Sequence, residues 1–316
     1  MKIKSFRISI LTLFILLLSC TTKVKEDYSL DSSLNELIEN FDGDAHLYAE
    51  NLTTGQVIDI NASSVHNAAS EAKIYILLTY AEQVINGTID PTSLIILTEK
   101  DKVYGSGVLR FEIPGNQVSL SFVAYLMMSI SDNVATNILL REVGGIEAID
   151  KFLKKVGIND TKVKGEVFKG EWISTSAKSL ANAAQILARP EEYGYSKKAA
   201  DLCKSIMLKH YEDNGFARHL PWSPFVEEVT TMEAFGKYKP IYAGIELYGK
   251  AGYTPGYRGD VAYVKTSKSE YIIGLKCTNV DDSKPLNSTN AGFEFSAEIG
   301  RLFYDYWGKE EIDKRE

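Results

Sequence analysis

Histidine and cysteine are scarce: the 316 residues hold four histidines and three cysteines. His46, His66, His210 and His219 show no H-x-H or H-E-x-x-H spacing, so the sequence points to no metal and no metal-dependent centre. Neither Cys203 nor Cys277 has an adjacent histidine that would make it a nucleophile. No glycine-rich phosphate loop precedes a helix at a convincing place, and no cofactor is implied. With a net charge of −7 and no clustered basic stripe, nucleic acid is excluded as a partner. There is no internal repeat, no low-complexity run and no clean linker after residue 33. The apolar run from Ile8 to Leu18 is too short for a comfortable membrane span.

That run is instead the core of an export signal. Lys2, Lys4 and Arg7 precede it, and Leu17-Leu18-Ser19-Cys20 closes it. The closing tetrapeptide resembles a bacterial lipobox, in which the cysteine becomes the lipidated first residue. The expectation is a signal peptide over 1–19, lipidation at Cys20, a polar tether over 20–33, and an exported, lipid-anchored protein of the cell envelope. Cys203 and Cys277 then remain as two buried thiols, or as a pair if an oxidising compartment and their distance allow it. A hydrophobic fraction of 45% supports a sizeable core, in one large domain or two interleaved ones.

Periodicity alternates along the chain. Leu34, Leu37, Ile38 and Phe41 have helical spacing. Ala45–Glu50 and Gln56–Ile60 read as strands joined by a hairpin at Thr53-Thr54-Gly55. From Ala69 to about Leu220 the pattern is helical, over Lys73–Ile85, Leu120–Ile130, Val134–Glu142, Ile146–Val156 and Ala177–Leu187, with Gly144-Gly145 and Gly157 where helix stops belong. Strands return at Ala243–Leu247, Gly259–Lys265 and Glu270–Cys277, and a last amphipathic helix covers about Ala291 to Trp307. The fold class is therefore α/β (α+β). One antiparallel sheet, 34–66 with 243–316, is flanked by terminal helices, and an inserted, mainly helical domain spans 67–242. A cleft between two such bodies is a natural ligand site.

Three short elements carry chemistry. Ser70-Glu71-Ala72-Lys73 opens the first helix after the strands and is the only S-x-x-K. Positions i and i+3 share a helix face, so Lys73 can take the Ser70 proton if burial or nearby charge lowers its pKa. Ser131-Asp132-Asn133 stands between two helices, where Ser, Asp and Asn also serve as caps. There Ser131 can relay a proton to a leaving nitrogen and Asn133 can hold a substrate amide. Lys250-Ala251-Gly252 starts the C-terminal sheet; its lysine can bind a carboxylate, and its glycine lets substrate approach the strand. Lys155-Val156-Gly157 repeats the K-x-G pattern at a helix end.

In this order the elements resemble class A β-lactamases and the wider penicillin-recognising serine enzymes, over about residues 34–307. Asp132 to Leu140, Asn214 to Arg218 and Arg258 to Ala262 look similar as well. The resemblance implies a β-lactamase/transpeptidase-like fold, an acylated nucleophile at Ser70, Lys73 as base or its partner, and Ser131 as proton shuttle. It implies substrate contacts from Asn133, Lys250, Gly252 and Tyr253, an oxyanion hole made by the Ser70 and Tyr253 N–H groups, and Tyr104 at the cleft mouth. The partner would be a β-lactam or a peptidoglycan-derived peptide, taken by a monomer. Two departures stand out. Ala251 replaces the family's hydroxyl residue, and Asn159 to Ser174 lacks the E-x-x-L-N pattern whose glutamate activates the deacylating water. Glu166 and Glu171 are the glutamates available there, and Asn137 resembles the residue that contacts that loop.

Three outcomes stay open: hydrolysis of β-lactams with turnover, a D-Ala-D-Ala peptidase or penicillin-binding protein with slow deacylation, or a non-catalytic envelope module.

Overall fold

A computed structural model describes residues 29–207, 215–221, 244–283 and 290–309. The leader with Cys20, and Ala243 at the start of one expected strand, lie outside the described residues.

Five antiparallel strands form the main sheet. In spatial order they are Val57–Ile60, Asp44–Asn51, Glu270–Thr278, Tyr257–Lys265 and Glu246–Thr254. Strands from early and late in the described chain thus meet side by side, Leu47 opposite Leu275. The central strands are buried along nearly their whole length. They bury both faces, so the charged residues they carry, Arg258, Asp260 and Lys276, are buried along with the apolar ones. The hairpin is set by Asn51, whose side-chain oxygen accepts from the N–H groups of Thr53 and Thr54 at 3.0 and 3.1 Å.

Each sheet face has its own core. On one, Leu30 and Leu34 of the N-terminal helix (Leu30–Glu39) pack with Phe295, Ile299 and Phe303 of the C-terminal helix (Ala291–Phe303) against Leu47, Ile273 and Leu275. On the other, Val261 and Ile272 join the helical body, centred on Ile74 to Tyr80 of the Lys73–Ile85 helix. That helix is buried from Lys73 to Ala81. Cys203 belongs to the second core and Cys277 to the first, and both are free thiols. Burial pushes the Cys203 thiol up to about 12.

The structure departs from the periodicity reading in places. The N-terminal helix begins at Leu30, where the Ser29 hydroxyl caps Ser32 N–H. The strand carrying Lys250 is Glu246–Thr254, displaced toward the C-terminus from the expected Ala243–Leu247. The helical region also carries small sheets, one pairing Leu94–Ile96 with Gln117–Ser119, another joining His66–Asn67, Ile173–Thr175 and Lys162–Val163. Two- and three-residue strands are too short to leave a period. The C-terminal helix ends at Phe303 and passes into a wider turn over Tyr304–Gly308.

Candidate active site

A cleft of about 620 Å³ opens where the main sheet's edge strand meets the helical body. Ser70, Lys73, Ser131, Asn133, Ala251, Gly252 and Tyr253 line it together. Three stretches far apart in the chain thus converge. Ser70 lies in a single 3-10 turn, Ser70–Ala72, that runs directly into the Lys73–Ile85 helix. The turn is wedged against the edge strand: a Cβ built on Gly252 would collide with Ser70 N. Substrate-sized space therefore begins where that strand and the serine turn touch.

Lys73 is 1% exposed, yet its ammonium is well served. It donates to the Ser131 carbonyl at 2.7 Å, to Ser131 Oγ at 3.0 Å and to Asn133 Oδ1 at 3.0 Å. Ser131 presents both its oxygens because its backbone is left-handed, at φ 58°. A non-glycine residue adopts that region at a cost of about 1 kcal/mol or more, and such residues concentrate at functional sites. The next residue supports the strain. Asp132, fully buried, caps the following helix through Ala135 N–H at 2.9 Å and accepts from Val108 and Leu109 N–H at 2.7 and 2.9 Å. Asn133 N–H and side chain then tie to the Ser106 and Tyr104 carbonyls, both at 3.1 Å. The 104–109 loop is thereby fixed as one wall.

The opposite wall is the 159–174 segment. Asn137 grips Val167 on both sides, accepting from its N–H at 2.8 Å and donating to its carbonyl at 3.2 Å. Val167 and Phe168 consequently line the cleft, with Trp172 at its base. Phe168 also reaches across the mouth to Gly105. The structure does not bring Glu166 or Glu171 to the cleft. Glu166 is half-exposed and paired with Lys169 at 2.8 Å, and Glu171 is exposed and paired with Lys164 at 3.3 Å. In a solvated loop an ion pair with a nearby lysine is open to both, whereas the cleft wall at this register is already filled by Val167 and Phe168. Among the described residues, no carboxylate lines the cleft.

Lys250 is buried under the edge strand and is not part of the cleft wall, although Ala251 and Gly252 are. Its ammonium donates to the Ala251 carbonyl at 2.8 Å. Asp260 stands opposite Ala251 on the next strand, accepting from Phe216 N–H at 2.7 Å. Burial raises its carboxyl to about 8, opposed by that hydrogen bond and by the Lys250 charge. Tyr253 is half-exposed on the cleft edge, its ring set edge-on to Phe293 with centroids 5.2 Å apart. Tyr104 projects into solvent at the rim, 84% exposed. Residues not anticipated from the sequence are Val167, Trp172, Asp260 and, beneath Ser70, the buried Glu71.

A family model described as the β-lactamase enzyme family matches residues 29–307. β-Lactamase CARB-4 of Pseudomonas aeruginosa is 29% identical over 110 residues, 35% of this chain and 38% of that protein. The chain thus aligns with well under half the length of that relative. Two solved structures share the fold. A β-lactamase from Sphaerobacter thermophilus superposes with a TM-score of 0.72 at 22% identity, over 88% of this chain and 96% of that one. PBP-A gives a TM-score of 0.73 at 21% identity, over 88% and 95%.

Proposed function

The chain belongs to the β-lactamase enzyme family, and from that premise we propose that it is an envelope serine acyl-transfer enzyme that opens β-lactams, or the related peptide amides of the cell wall, through a long-lived acyl-enzyme. The observation that carries the reading is the Lys73 side-chain nitrogen, within 3.0 Å of both Ser131 oxygens and of Asn133 Oδ1 in the cleft that Ser70 also lines. In the proposed reaction Lys73, in its neutral form, takes the Ser70 proton as Oγ attacks the carbonyl carbon. The resulting oxyanion is held by the N–H groups of Ser70 and Tyr253, a type of contact worth a few kcal/mol per donor. When the C–N bond breaks, the proton passes through Ser131 to the leaving nitrogen. Asn133 orients the substrate amide, Lys250 supplies positive potential from beneath the strand, Gly252 lets substrate approach, and Tyr104 flanks the mouth.

Deacylation needs a second base, aimed at a water on the far side of the ester. Glu166 and Glu171 face their lysines instead, and the cleft wall at this place is Val167 and Phe168. This favours slow release over efficient antibiotic hydrolysis. A variant of the structurally similar PBP-A is known as an acyl-enzyme complex with penicillin G. Export and lipidation at Cys20 complete the reading and rest on the leader sequence.

Intact-protein mass spectrometry with penicillin G tests the proposal. A +penicillin adduct that persists for many minutes and is absent from Ser70→Ala is the expected result. An adduct that decays within seconds refutes slow release, and labelling that survives in Ser70→Ala refutes the nucleophile.

A further inference from the structure

Glu71 follows the nucleophile directly, and its side chain is 0% exposed. A buried carboxylate is costly unless donors meet it. Here Ala69 N–H approaches both oxygens at 3.1 and 3.0 Å, and the Tyr257 hydroxyl donates to Oε1 at 2.6 Å. Room for the group is made by two facing glycines on adjacent strands, Gly252 opposite Gly259. A Cβ on Gly252 would collide with Oε2, and one on Gly259 would lie 2.6 Å from Oε1 and 2.7 Å from the Tyr257 oxygen. The next strand adds a buried cation, Lys276, whose ammonium lies 5.1 Å from the Tyr257 ring centre and donates to the His66 and Asn67 carbonyls at 3.1 and 3.3 Å. The Ala69 carbonyl, in the peptide unit that joins Ala69 to Ser70, is held too, since Trp172 Nε1 donates to it at 3.2 Å.

The main chain entering Ser70 is therefore clamped on its N–H by Glu71 and on its carbonyl by Trp172. We propose that Glu71 is a positioning residue for acylation, setting the Ala69–Ser70 main chain so that the serine hydroxyl and the Ser70 N–H face the cleft together, with Tyr257 orienting the carboxylate. This rests on Ser70 being the nucleophile, as proposed above. Glu71 lines no part of the cleft, so its loss leaves the substrate's ground-state contacts in place and acts on the reacting geometry. A misplacement of about 1 Å at a reacting centre costs on the order of 10²-fold in rate.

The test separates the acylation rate constant from the non-covalent dissociation constant for penicillin G. Glu71→Met removes the acceptor for Ala69 N–H; the rate constant is expected to fall on the order of 10²-fold, with the dissociation constant changed by less than about threefold. Glu71→Gln keeps an oxygen for Ala69 N–H and offers its amide to the Tyr257 hydroxyl, and is expected to recover to within about tenfold of the parent. Tyr257→Phe should lose on the order of tenfold, again in the rate constant alone, and it decides the matter if Glu71→Met does not fold. An unchanged rate constant, or a parallel loss of rate and affinity, overturns the inference. If penicillin G fails to acylate the parent protein, the substrate reading falls by itself. A fluorophosphonate, which labels activated serines irrespective of natural substrate, then reads the same variants: retained labelling in Glu71→Met overturns the positioning role, and no labelling of the parent overturns both.

Discussion

Val167→Glu is the substitution that most directly examines why release should be slow. The Asn137 side chain holds both main-chain groups of residue 167, so the backbone at this point is fixed whatever its side chain. The side chain lines the same cleft as Ser70 and Lys73. A glutamate there would place a carboxylate where none stands among the described residues. A positioned general base contributes about 10²–10⁴-fold to a proton-transfer step, or about 3–5 kcal/mol of barrier. The stability cost should be small, about 1 kcal/mol, because Val167 is only partly buried and faces the open cleft, where Glu can keep its solvent. The adduct lifetime with penicillin G, followed by mass spectrometry, is therefore expected to shorten by roughly 10²-fold or more, with acylation little changed. Val167→Gln is the control: it matches size and polarity without a base, and the lifetime should stay near that of the parent. If Val167→Glu folds, acylates normally and keeps the parent lifetime, the missing carboxylate is not what limits release. If Glu and Gln shorten it equally, the effect is access of water rather than base catalysis.

Other expectations follow from the walls of the cleft. Asp132→Ala removes three N–H contacts, two buried and one partly buried, and should lower stability by about 3 kcal/mol or more, seen as a lower urea midpoint at constant slope. Asn137→Ala frees the Val167 main chain, and amide exchange over 164–172 should accelerate by an opening free energy about 2 kcal/mol smaller, while exchange in the main sheet stays as it was. Asp260 gives a pH signature. Its carboxyl, raised by burial to about 8 from 3.8, keeps its proton in the folded protein while the unfolded chain loses it. The stabilisation is thus fully present below the unfolded value and is lost as pH rises toward 8. Thermal unfolding from pH 5 to 9 should show Asp260→Asn gaining on the parent with rising pH; a constant difference would refute the raised carboxyl.

How much of this was readable beforehand depends on the range of the interaction concerned. The Ser70/Lys73 and Ser131/Asn133 groups were legible because each depends on a helix start and a spacing of two or three residues, and the structure brings both into one cleft. The helices read from the sequence were legible to within a few residues for the same reason, though Lys197–Met207 was not among them, and the sheet because its central strands are rich in β-branched, aromatic and other apolar residues. The cleft's second wall was not. Which residue of 159–174 faces Ser70 is decided by Asn137, thirty positions earlier, closing two hydrogen bonds on Val167. Which side chain the loop presents follows from that grip, and nothing local in the loop sets it. Glu71 was hidden in the same way. In the sequence it is an unremarked letter within S-x-x-K, whereas its burial depends on Gly252 and Gly259 lying opposite one another and on a tyrosine 186 residues away. The residues on which the proposed serine acyl-transfer site rests are local, and those that would set its rates, Val167 for release and Glu71 for attack, are placed by contacts that only the folded chain contains.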